Sequence, residues 1–268
     1  MSTFAPRFRL DGGDATAAQL AHVARLNHGH FTSFQVRGGA VRGLDLHLAR
    51  LRDATRALYA TDLDPQHVRM LLRDALGGTR DAAVRITVFP SDWRLDAMPS
   101  PARVAVLVGV SPPTQRSLRP LRLCTVEHER FLPQIKHVGT FASIQLRAQA
   151  RRDGFDDALF VDRHDCISEG TVWNIGFRAD DRIVWPDAPQ LDGVAMRLLS
   201  DGLARAGIAA QRCSVPRTLL ATFDGAFVCN AGGVGHPVVA IDDIAFAVDD
   251  AFTQCLVACH DSNAAQAI

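Results

Sequence analysis

The apolar runs of this chain are short and of two kinds. AAVRITVF (82–89), RVAVLVGV (103–110) and DALFVD (157–162) are compact runs rich in strand-forming residues. Between them lie longer stretches with helical spacing. In LDLHLARLRDATRALYA, Leu44, His47, Leu48, Leu51, Thr55 and Leu58 fall on one face. No run approaches the roughly 20 apolar residues that span a bilayer. Elements that are apolar on one side must bury that side against one another. Because strands and helices mix without strict βαβ alternation, the expected class is α+β, or mixed α/β.

Local signals place more elements. FTSFQVRGGAVR (31–42) reads as a hairpin turning at Gly38–Gly39. LDPQHVRMLLRDAL reads as a helix with Asp64 as N-cap, Pro65 in its first position and Gly77 at its end. SPPTQRSLRP (111–120) has three prolines and little apolar content, as a connection does. It divides an N-terminal α/β domain (1–110) from a C-terminal domain (121–268). In the second domain LRLCTV reads as a strand and 140–153 as a helix closed by Gly154. DALFVD and VWNIGF read as strands around a turn. Helices are expected at about 193–206 and 249–260, with short strands at 208–213, 225–229 and 237–247.

Lys plus Arg and Asp plus Glu are equal at 29 each, so no field of one sign gathers nucleic acid or an anionic membrane. The N-terminus lacks the basic segment and apolar run of a secretory signal. The six cysteines form no CxxC pair, which points to reduced thiols in a cytoplasmic protein. GGVG (232–235) lacks the GK[ST] ending of a phosphate loop and reads as a tight turn. No GxSxG elbow is present. His22, His28 and His30 lack the spacing of a metal site, and Cys255 and Cys259 read as core residues beside a surface His260. No metal is expected.

One residue breaks the composition. Lys136, in LPQIKHVGT, is the single lysine in a chain that otherwise uses arginine. On a solvated surface the two are near-equivalent. Where the amine itself reacts they are not, because a primary amine can lose its proton and bond to carbon. Downstream, ISEGTVWNIGF carries one carboxylate, Glu169, in what reads as a turn between apolar strands. Upstream, Arg50 lies on the helix HLARL. Amine, carboxylate and guanidinium are the groups that pyridoxal 5'-phosphate needs: a Schiff-base lysine, a partner for the pyridine nitrogen and a grip on the phosphate.

At these residues the chain resembles the class IV aminotransferases, the fold-type IV pyridoxal-phosphate enzymes that include branched-chain and D-amino-acid aminotransferases and aminodeoxychorismate lyase. Segments match in order from about residue 27 to 247. GHFTSFQV and GAVRGLDLHLARL resemble the family's first hairpin and helix, with Arg50 at its phosphate arginine. LPQIKHVGT resembles the Schiff-base segment, with Lys136 as its lysine. GFDDALFVDRHDCISEGTVWNIGF is the most specific piece, with Glu169 at the pyridine-nitrogen partner and Asn174 at a recurrent asparagine. WPDAPQLDGVAMRLL and CNAGGVGHPVVAID resemble the two phosphate loops, pointing to Val194 and Ala195 and to Asn230 and Ala231.

The resemblance implies a small N-terminal and a larger C-terminal domain with the cofactor between them, and a homodimer. It departs at several positions. Ala195 and Ala231 lack the hydroxyls many members carry there, which leaves Arg50 and backbone amides to hold the phosphate. Thr32 stands where the aminotransferases often have Glu, and the residue three past Lys136 is not the usual Asn. Phe31 and Thr32 are candidates beside the substrate, and Arg85 and Arg94 are candidates for its carboxylate. The implied reaction is amino-group transfer between a small amino acid and a 2-oxo acid. The alternatives are the lyase reaction, which eliminates pyruvate, and a non-enzymatic relative that keeps the fold for binding. Tyr59, the sole tyrosine, reads as packing.

Overall fold

The computed structural model describes residues 4–92, 96, 100–114 and 119–268. In chain order the first elements are β1 (Arg7–Leu10), β2 (Gly13–Asp14), α1 (Ala17–Arg25), β3 (His30–Val36), β4 (Ala40–Arg42), α2 (Leu44–Tyr59), α3 (Pro65–Leu76), β5 (Ala82–Pro90) and β6 (Val104–Ser111). There follow β7 (Leu121–Glu127), α4 (Phe141–Arg152), β8 (Asp157–Val161), β9 (Ile167–Gly170), β10 (Asn174–Ala179), β11 (Arg182–Pro186) and α5 (Val194–Arg205). The chain ends with β12 (Ala210–Cys213), β13 (Gly225–Asn230), β14 (Gly233–Ile241), β15 (Ile244–Ala245), α6 (Asp250–Asp261) and β16 (Ala265–Ala267).

These elements form two compact units that are not consecutive in sequence. The first holds Met1–Gln115 together with Ile135–Gly139 and Ala264–Ile268; the second holds Arg116–Gln134 and Thr140–Asn263. The Lys136 segment and the C-terminus return to the first unit, which the sequence does not announce.

The first unit is built on an antiparallel sheet ordered β2-β1-β6-β5-β3. Strand alternation gives it two apolar faces. Val84, Ile86, Val88, Val106, Val108 and Val110 face one way and pack with Leu44, Leu48 and Leu51 of α2 and Leu71 and Leu72 of α3. Each such side chain, fully buried, contributes about 1.5–3 kcal/mol. On the other face Phe89, Ala105 and Leu107 pack against Leu20 and Val23 of α1. Helix α1 was not expected, although its Thr16–Gln19 capping box is local sequence information. α3 begins at Asp64, whose side chain accepts from the Gln66 N–H, and ends at Gly77, as its sequence requires.

The expected hairpin at 31–42 is realised only at its turn. Arg37 and Ala40 exchange both backbone hydrogen bonds (2.9 and 3.0 Å) around Gly38 and Gly39, whose φ angles of 60° and 82° favour glycine. β4 then leaves β3 and pairs with β16 from the end of the chain, Val41 opposite Gln266.

The second unit carries a nine-stranded mixed sheet, β12-β11-β10-β13-β14-β7-β8-β9, with β15 on β14. One further pair, Glu169 opposite Asn174, joins β9 to β10 and closes six of the strands into a ring. Ala226 and Val228 point to one cluster with Ile175, Phe177 and Leu159. Phe227 and Cys229 point to another, with Leu199 and Leu203 of α5 and Leu256 of α6. Strands apolar on both faces are what a sheet covered by helices needs. Cys259 is buried in that second cluster, as its helical position suggested. Glu169, read as a turn residue, lies instead in the short strand β9.

Candidate active site

In the first unit, the Lys136 segment lies along β3. The Phe31 N–H donates to the Lys136 carbonyl at 2.8 Å, the Val138 N–H donates to the Gly29 carbonyl at 2.8 Å, and His30 bridges His137. Lys136 Nζ sits 5.0 Å from the centroid of the Phe31 ring. The Arg85 guanidinium lies over the same ring, 3.5 Å from its centroid. Register explains the meeting: Phe31 pairs with Thr87 across β3 and β5, which puts Arg85 on the same face two residues along. Arg85 Nε donates to Thr87 Oγ1 at 3.4 Å, and burial pulls the guanidinium below its usual pKa. No carboxylate among the described residues pairs with Arg85. Arg85 and Thr87 also line a cavity of about 400 Å³, walled by Phe89, Leu107, Val23 and Val138. Arg94 lies outside the described residues.

Thr32 behaves differently from Phe31, because successive strand residues face opposite ways. It is fully buried against α2, and its hydroxyl shares a 2.6 Å hydrogen bond with His47 Nδ1. Expected beside the substrate, it is turned toward α2 and away from the face that carries Phe31 and Arg85. His47 lies three residues before Arg50. Burial, then the charges of Arg50 and Lys136, hold its imidazole well below the usual pKa, so it is neutral at pH 7. Tyr59 is core, as read: its ring packs on His28 and His30.

In the second unit, Glu169 is 5% exposed. Arg130 Nε donates to its Oε1 at 2.7 Å and the Leu191 N–H donates to its Oε2 at 3.2 Å. Arg130 Nη2 also donates to the Pro133 carbonyl at 2.5 Å, three residues before Lys136. Asn174 Nδ2 donates to Gln190 Oε1 (3.0 Å) and to the Leu191 carbonyl (2.8 Å). A Cβ on residue 193 would run into Asn174 Oδ1, so a side chain there would have to displace that asparagine from these bonds or shift the helix start. Gly193 opens α5 with no side-chain cap, which leaves the amides of buried Val194 and Ala195 to meet an anion at the positive end of the helix. Asn230 and Ala231 lie at the β13–β14 turn. Asn230 braces it, accepting from the Gly232 N–H at 2.8 Å and donating to the Val172 carbonyl at 3.2 Å.

Sequence reasoning missed two of these groups. Arg130 lies six residues before Lys136, where its charge was the only signal. His47 was read as one position on a helix face, and its polar partner is on another element. Among the described residues no cluster could hold a metal ion.

The first unit carries an amine beside a ring and a guanidinium; the second carries a buried carboxylate and a helix opening onto uncapped amides. Each set suits a part of a phosphorylated pyridine aldehyde. The fold is that of the fold-type IV pyridoxal-phosphate enzymes. The model of the class IV amino-transferase family matches residues 29–241, and the chain belongs to that family. Its cofactor is pyridoxal phosphate. The 4-amino-4-deoxychorismate lyase of Pseudomonas aeruginosa is 26% identical, with a TM-score of 0.78 over 93% of this chain and 96% of that one. The branched-chain aminotransferase of Thermoproteus uzoniensis, solved with norvaline, is 18% identical with a TM-score of 0.84 over 95% and 93%. A second branched-chain amino acid aminotransferase, from T.th., solved with pyridoxamine 5'-phosphate, is 19% identical with a TM-score of 0.82 over 98% and 95%. No curated protein matches the chain.

Proposed function

We propose that the protein is an aminotransferase that moves the amino group of a small amino acid to a 2-oxo acid. The observation that carries this reading is the Phe31 ring, which has the Lys136 ammonium and the Arg85 guanidinium over it. An amine that can exchange with a substrate amine and a cation that can hold a carboxylate are what an amino acid requires.

Bound pyridoxal phosphate would supply an aldehyde that Lys136 holds covalently and an electron sink for the substrate's Cα electrons. Lys136 Nζ would hold the cofactor and, when free, would serve as the base that moves the substrate Cα proton. Glu169 would accept from the pyridine nitrogen, its carboxylate held in place by Arg130 and the Leu191 N–H. Arg50 and the amides of Val194, Ala195 and Ala231 would hold the phosphate. Phe31 packs beside the substrate and Arg85 receives its carboxylate. A donor panel with the cofactor-loaded protein tests the reading: 2-oxo acid formed from at least one amino acid is expected, and none formed from any D or L donor overturns it.

The lyase reading has two features in its favour: Thr32, a hydroxyl where aminotransferases of the family often carry Glu, and the segment NAGGVGHPV around Asn230, which resembles the lyase's. Release of pyruvate and 4-aminobenzoate from aminodeoxychorismate, without amino transfer to a 2-oxo acid, would select it.

We also propose a homodimer in the cytoplasm. Phe141 (79% exposed) and Ile144 (64%) of α4 are large apolar side chains exposed on one helix, as at a surface that a second copy would cover. Light scattering of the purified chain measures its mass. The six free cysteines suit a reducing compartment. Among the described residues no helix is long and apolar enough to cross a membrane.

A further inference from the structure

Lys136 and Arg50 belong to different pieces of the first unit, and β3 connects both pieces. On one side the connection is backbone: the Phe31 N–H donates to the Lys136 carbonyl at 2.8 Å, and His30 bridges His137. On the other it is a side chain. Thr32 Oγ1 and His47 Nδ1 share a 2.6 Å hydrogen bond, with the two residues 0% and 1% exposed. His47 and Arg50 are three residues apart on α2, so their side chains leave neighbouring positions on one helix face.

We propose that Thr32 and His47 form an uncharged positioning pair that fixes the Arg50 guanidinium for the cofactor phosphate. The inference rests on the functional reading above, in which Lys136 bonds the cofactor and Arg50 grips its phosphate.

The surrounding core explains why a polar pair is informative here. Around it β3 and α2 meet through Phe34, Val36, Leu44, Leu48 and Leu51, and such contacts are non-directional. Packing alone lets a helix settle within a range of positions. A hydrogen bond restricts distance and angle together. The Phe34 ring also packs on the imidazole, the two centroids 5.0 Å apart. A guanidinium meets a phosphate through two parallel N–H···O bonds and loses one of them when shifted by a bond length. The α2 register is therefore worth fixing, and residue 47 is one turn from the residue that needs it.

The chemistry of the pair also suits its place. The hydroxyl of Thr32 can donate or accept, so it satisfies a neutral imidazole in either tautomer. A carboxylate at position 32 would draw a proton onto the imidazole. That would set an ion pair beside Arg50 and Lys136, whose charges both reach His47. The Thr–His pair fixes geometry and leaves the positive charge there to the arginine and the lysine.

The test compares two ligands that differ only in the phosphate: pyridoxal 5'-phosphate and pyridoxal. Their dissociation constants are measured by absorbance titration of the cofactor-stripped full chain. Thr32→Val and His47→Leu remove the hydrogen bond; Thr32→Ser and His47→Asn keep a polar partner. Thr32→Val and His47→Leu should bind the phosphate form about 5- to 20-fold more weakly, with pyridoxal binding unchanged. The conservative variants should recover most of the loss. A general loss of folded protein lowers both affinities equally, so equal loss, or loss of neither, overturns the inference. A wild-type protein that takes up neither ligand overturns the functional reading and the inference together. A wild type that prefers the phosphate form, with an Arg50→Leu variant that keeps that preference, removes Arg50 from the phosphate and overturns the inference alone.

Discussion

Arg130 Nε lies 2.7 Å from Glu169 Oε1, with the two side chains 14% and 7% exposed. The same arginine reaches the Pro133 carbonyl, three residues before Lys136. One guanidinium thus ties the strand that carries the candidate pyridine partner to the segment that leads into the candidate Schiff-base lysine. A pair this buried adds little net stability as a pair, but breaking it strands a charge. Arg130→Met should therefore cost about 3–5 kcal/mol in denaturant unfolding. The double variant with Glu169→Leu should cost less than the two single variants summed, and strict additivity would show that the pair is not coupled.

Lys136→Ala should abolish the yellow absorbance of the cofactor-loaded protein. It should lower amino transfer by about 10²–10⁴-fold or more, the share carried by a positioned acid/base. Undiminished transfer in that variant would remove Lys136 from the chemistry.

Gly193→Ala should disturb the opening of α5. A Cβ there runs into Asn174 Oδ1, so Asn174 must leave Gln190 and Leu191 or the helix must shift. The expected cost is about 1–3 kcal/mol of stability, with weaker cofactor binding measured by the same titration. A thermal melt and cofactor affinity equal to wild type would contradict it.

Arg85→Leu should raise KM for carboxylate-bearing donors and lower kcat/KM by about 10- to 100-fold, the worth of a charge-assisted hydrogen bond. Cofactor affinity should be unchanged. Loss of cofactor without a change in KM would move Arg85 from the substrate to the cofactor.

His30 predicts an acid limit to stability. Its ring is fully buried with Nε2 on Thr55 Oγ1 at 3.0 Å; burial, then the charge of His28, lowers its pKa to about 4. The unfolded chain titrates near 6.5, so below that pH it takes up a proton that the folded state refuses. Stability from this group is complete above about pH 6.5 and is lost as pH falls toward 4, by roughly 3 kcal/mol. Unfolding free energy followed from about pH 7 to 4 should show this slope, and His30→Asn should flatten it. An unchanged slope in the variant would assign the acid sensitivity elsewhere.

Local chemistry was legible wherever it was complete within a few residues. Asp64, Pro65 and Gly77 bound α3 because caps and proline act on their own turn. The strands β5 and β6 follow from their β-branched runs. Lys136 stood out because only an amine can do what that position is proposed to do. Partners that lie far along the chain were not legible. β4 takes the C-terminal β16 as its neighbour, β9 is too short to be read from its own pattern, and Glu169 therefore looked like a turn residue.

The sequence by itself determined the mixed helix and strand class, because periodicity and turn residues are properties of nearby residues; its ordered segments carried the resemblance to the family and its cofactor, and its composition singled out Lys136 as the one amine. Only the tertiary structure decided that Arg130 meets Glu169, that Thr32 faces His47 rather than the cavity, and that a side chain at residue 193 would run into Asn174. The physical reason is common to all three. A hydrogen bond or a steric limit acts over a few ångströms of space, and the chain brings these atoms together from 15 to 39 residues apart.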